Sequence, residues 1–80
     1  MSQSLSNTAL IYAMLALNSE IDLQKQYLAS DEVPAEERDE EVSILDDLEQ
    51  ALMEFIELYK QRAKTDKTLP SLDELLTQPL

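Results

Sequence analysis

The chain has 80 residues, a formal net charge of −11, and no cysteine, histidine or glycine. This length holds at most one domain with a small core. The missing residue types exclude disulfides, thiolate or imidazole metal sites, Ser–His and Cys–His nucleophiles, and glycine loops that cradle phosphate.

The charge also disfavours nucleic-acid phosphates and anionic membranes, since binding either needs clustered Lys and Arg. It leaves basic proteins as partners. The apolar run Ala9–Leu17 has the length of a signal-peptide core, but the first basic residue is Lys25, and a secretory leader starts with positive charge. The run is too short to span a bilayer. A cytoplasmic location is expected.

Residues 1–5 read as a frayed start. Ser6 or Asn7 is a suitable cap for a first helix over 7–29. Two apolar stripes run along it. Leu10, Met14, Leu17, Ile21 and Leu28 form one, and Tyr12, Ala16, Leu23 and Tyr27 lie nearly opposite. One stripe suffices to pack against a neighbouring helix. The other needs a second partner or stays exposed, as interaction surfaces do.

Residues 30–34 break the pattern, and Pro34 suits the opening turn of a second helix over 35–64. Glu36 and Glu37 complement its positive end. Ile44, Leu45, Leu48, Ala51, Leu52, Phe55, Ile56, Leu58, Tyr59 and Ala63 share an arc of roughly 160°. Glu37 and Glu41 project onto the same side, so tight burial is expected to begin near Val42. Arg62 also projects there, to close a buried end or to pair with Glu41 of a second chain. A linker over 65–70 leads to Ser71-Leu72-Asp73-Glu74, a capping-box pattern that opens a short helix over 72–77, ended by Pro79.

The expected fold is all-α, an antiparallel two-helix hairpin with a short C-terminal helix. The short connection favours antiparallel neighbours, and two hairpins would make a four-helix bundle. The surplus stripe points to a homodimer, with an interface drawn from Tyr12, Leu15, Ala16, Leu23, Tyr27, Leu48, Leu52, Phe55 and Tyr59. Folding back of the third helix over that stripe is the alternative. Residues 31–57 hold twelve acids and one base, whereas Lys60, Arg62, Lys64 and Lys67 follow with only Asp66 against them. That asymmetry favours antiparallel pairing of two second helices.

An acidic face of Glu36, Glu40, Asp46, Asp47, Glu54 and Glu57 is expected to be solvated. Carboxylates at helical spacing are also the raw material of metal sites. Di-iron bundles add Glu-x-x-His, and calcium loops need a central glycine, so no metal or cofactor is expected. Paired-carboxylate catalysis needs a cleft that shifts the carboxylate pKa values, and water-facing acids supply none. The chain therefore reads as a non-enzymatic, homo-oligomeric interaction or regulatory module. The alternative reading is a nucleic-acid-mimicking decoy that occupies a basic DNA- or RNA-binding protein. Leu69, Leu72, Leu75 and Leu76 form a last apolar strip, which either caps its own bundle or docks into a partner's groove.

Overall fold

The computed structural model describes residues 5–76. Three α-helices follow in order: α1 over Asn7–Ala29, α2 over Arg38–Thr65 and α3 over Leu72–Leu76. No strand occurs among the described residues. A 3-10 turn over Ala35–Glu37 precedes α2. The single helix expected from residue 35 thus starts with a tighter turn. Pro34 lies at φ −60° and ψ 141°, and the chain passes from this extended position into Ala35–Glu37 through Glu37 N–H donating to the Pro34 carbonyl at 2.9 Å. The expected helix end at residue 77, the expected stop at Pro79 and all but Leu5 of the start expected to fray over residues 1–5 lie outside the described residues.

The ends of α1 show why it starts and stops where it does. Ser6 is extended, and its hydroxyl accepts from Ala9 N–H at 3.0 Å, filling one of the donors a helix start leaves free. Asn7, the other capping candidate, is already helical. At the far end the Ser30 hydroxyl donates to the Tyr27 carbonyl at 2.6 Å. The last turn of α1 holds no basic residue. Arg38, at the start of α2, supplies the cation from across the turn, donating to the Leu28 carbonyl at 2.7 Å.

The two long helices are antiparallel. At one end Arg62 donates to Asn7 Oδ1 at 3.1 Å, and Asn7 donates to Asp66 Oδ2 at 3.3 Å. Arg62 therefore closes this end of its own hairpin. At the other end Gln24 donates to both the carbonyl and a carboxylate oxygen of Glu41, at 3.0 and 2.9 Å. Glu41 is half-buried through this bond, while Val42, at the edge of the apolar arc, stays exposed. Tight burial therefore does not begin at Val42 as expected.

Among the described residues the buried side chains are Leu10, Met14, Ile21, Leu28 and Tyr59. Four of them belong to the first stripe of α1. α3 folds back over Leu10, Met14 and Tyr59, bringing Leu69, Leu72, Leu75 and Leu76 against that core. Its start is capped by Ser71, whose hydroxyl accepts from Glu74 N–H at 3.1 Å. The strip read as a possible docking element for another protein is thus taken up by its own hairpin. The radius of gyration is 15.2 Å, against about 11.6 Å for a compact chain of this length. An elongated shape explains why so few side chains are sealed from water.

Candidate protein-interaction interface

Helical geometry and α3 together sort the surface into distinct faces. α3 sits in one groove of the hairpin. On the α1 side it meets Asn18, which donates to the Leu76 carbonyl at 3.3 Å. On the α2 side a cavity of about 400 Å³ lies between Lys60, Lys64 and the Leu69–Leu72 segment. Lys67 lines the same cavity. The basic end of the chain is therefore gathered around α3.

The surplus stripe of α1 is uncovered. Tyr12 is 67% exposed and Leu23 57%. Ala16 is exposed and Tyr27 half-buried. α3 covers the opposite stripe instead, so the expected alternative of intramolecular cover does not hold for this side. At about 100° per residue, Thr8, Ala9, Tyr12, Ala16, Ser19, Leu23, Gln26 and Tyr27 fall within an arc of roughly 100°. No charged residue lies among them.

The remaining residues expected at an interface divide. Leu15, Leu48, Leu52 and Phe55 are half-buried, and the last two pack against the core. Tyr59 has no surface to offer a second chain, because it is only 1% exposed in the core of its own chain. Its hydroxyl reaches the edge and donates to the Pro70 carbonyl at 2.5 Å, tying α2 to the segment that leads into α3. Burial, then the charges of Asp66 and Glu74, hold its phenol above its ordinary pKa of 10.0. Asp66 shifts the other way. The Thr68 hydroxyl and backbone N–H donate to its carboxylate and lower its pKa, outweighing desolvation, with Asn7 adding to the effect.

No protein family, curated protein or solved structure matches this chain.

The functional reading therefore rests on surface chemistry. Glu36, Glu40, Asp46, Asp47, Glu54 and Glu57 are all exposed, within an outward arc of roughly 120°. Their steps along the chain vary from one to seven residues. A nucleic-acid strand instead places a phosphate at each regular rise of about 3.4 Å. Among the described residues no group of three or more acids is arranged to hold a metal ion. Nor is any described helix long and apolar enough to cross a membrane. The ion pairs Lys25–Glu49 and Lys60–Glu57, at 3.8 and 3.9 Å, are solvent-exposed and contribute little stability.

Sequence reasoning located the surplus stripe of α1 from periodicity alone. It did not separate the part of α2's wide arc that α1 and α3 cover from the part they leave open. That division depends on the side of the hairpin α3 occupies.

Proposed function

We propose that this chain is a non-enzymatic interaction module that pairs with a second copy of itself through the outer strip of α1. The reading is carried by one observation: Tyr12 and Leu23 stand 67% and 57% exposed on a strip without charge, in a chain of −11. Two copies repel each other through their net charge. The surface on which they approach at least cost is the one that holds no carboxylate. Burial of a Tyr or Leu side chain there contributes about 1.5–3 kcal/mol.

The strip is suited to meeting itself. In an antiparallel pair related by a two-fold axis between Ala16 and Ser19, Tyr12 lies opposite the partner's Leu23, and the small residues meet at the centre. That arrangement is isologous, as in most homodimers. Mass should be measured by light scattering over a dilution series. We expect dimers at about 100 µM, a concentration that half-populates an association of about −5.5 kcal/mol. Tyr12→Glu and Leu23→Glu should each weaken pairing at least about tenfold, a cost of about 1.4 kcal/mol. Met53→Glu makes the same charge change at an exposed apolar residue of α2 and should have no comparable effect. A folded monomer throughout the series, or equal effects from all three substitutions, overturns the reading.

A further inference from the structure

A second surface lies on α2, and it differs in charge. Ile44, Leu48, Ala51, Phe55 and Leu58 follow one another at alternating steps of four and three residues, the spacing of a coiled-coil seam. Along one flank of this seam, Leu52 and Tyr59 turn into the chain's own core. Along the other, Glu40, Asp47 and Glu54 recur every seven residues, about 10.5 Å apart along the axis. All three are exposed. Their carboxylates make no hydrogen bond or ion pair within the described residues.

The seam is partly uncovered: Phe55 and Leu58 touch the core along one side, and each still keeps surface open to solvent. Ile44 is 42% exposed, and the next four seam residues are half-buried. Ala51, Glu54, Phe55 and Leu58 line a shallow groove of about 300 Å³. α3 lies on the opposite side of the hairpin, against Asn18 and the Lys60–Lys64 edge of α2. The chain's own cations do not neutralise the acid row. Arg62, the next position of the seam, is held by Asn7, and Lys60, Lys64 and Lys67 surround the other groove.

We infer that this seam takes a basic amphipathic helix from another protein, with apolar residues in the seam and Lys or Arg at the flanking positions that face Glu40, Asp47 and Glu54. Charge selects this occupant over a second copy. Two α2 helices packed antiparallel set like flanks together, acids against acids. Packed parallel, they set the acid row against the flank that Leu52 and Tyr59 have already buried. Flanking charges of this kind determine which helices pair, while the seam supplies most of the energy. The surface is distinct from the outer strip of α1, so the inference stands or falls independently of self-pairing.

The test uses the full chain and three synthetic three-heptad peptides, titrated by calorimetry at low and high salt. One has leucine seams flanked by lysine, one has the same seams flanked by glutamate, and one keeps the lysines but has serine in the seam. The lysine-flanked leucine peptide should bind, more weakly at high salt. The other two should bind at least about tenfold less tightly. The double substitution Asp47→Lys and Glu54→Lys alters only exposed side chains and should reverse the preference between lysine and glutamate flanks. No binding by any peptide, equal binding of both leucine peptides, binding of the serine peptide at full strength, or an unreversed preference each overturns the inference. So does loss of self-association in Ile44→Glu, which would assign the seam to a second copy.

Discussion

Tyr59 belongs to the core of its own chain and not to the interface expected to include it. Its position in the apolar arc of α2 is equally compatible with an interface and with a core. The difference is made by Pro70, eleven residues on, whose carbonyl receives the phenol only because the linker turns back. A burial pattern set by a distant turn is not encoded in helical periodicity. The consequence is measurable. Tyr59→Phe leaves the Pro70 carbonyl without its donor and should cost about 1 kcal/mol in urea unfolding. The folded pKa is raised above the ordinary 10.0. The neutral phenol's contribution is therefore complete below that value and is lost as pH rises through the folded pKa. Absorbance titration of the wild type against Tyr59→Phe should reveal a step with a midpoint above 10.0 that only the wild type shows.

At the scale of elements, the limits of α1 are written in local chemistry. Ser6 caps its start, and the Ser30 hydroxyl bonds back to its last turn. Such signals involve residues three or four apart, so they are legible in a sequence. The antiparallel hairpin follows from the short connection in the same way. The place of α3 does not, because Leu69, Leu72, Leu75 and Leu76 form an amphipathic strip that suits its own core or another protein's groove. Length decides part of this: a helix of five residues has too little local stability to persist undocked. α3 is therefore a lid held by burial. Leu72→Asp should release it and destabilise the chain by about 2 kcal/mol in urea unfolding. It should also raise the binding of a hydrophobic dye as Leu10 and Met14 are uncovered. Unchanged stability would mean that α3 contributes nothing to the core.

At the scale of the molecule, charge sorts the surface that the small core leaves apolar. The outer strip of α1 is uncharged. The seam of α2 is edged by acids, and Lys60, Lys64 and Lys67 cluster around α3. The expected antiparallel pairing of two second helices rested on an acidic start and a basic end of α2. In the structure Arg62 donates to Asn7, and Lys60 and Lys64 line the α3 groove. Net charge per segment was readable from the sequence, but the face each charge occupies required the packing of all three helices.

The central claim is that two chains of −11 meet on a surface without charge. Screening then relieves the repulsion between them and removes no attraction. Sedimentation equilibrium of the wild-type chain across a salt series tests this most directly. The dimer fraction at fixed protein concentration should rise with ionic strength. A fall with ionic strength would mean that ion pairs hold the copies together, and the charge-free strip of α1 would not be where they meet.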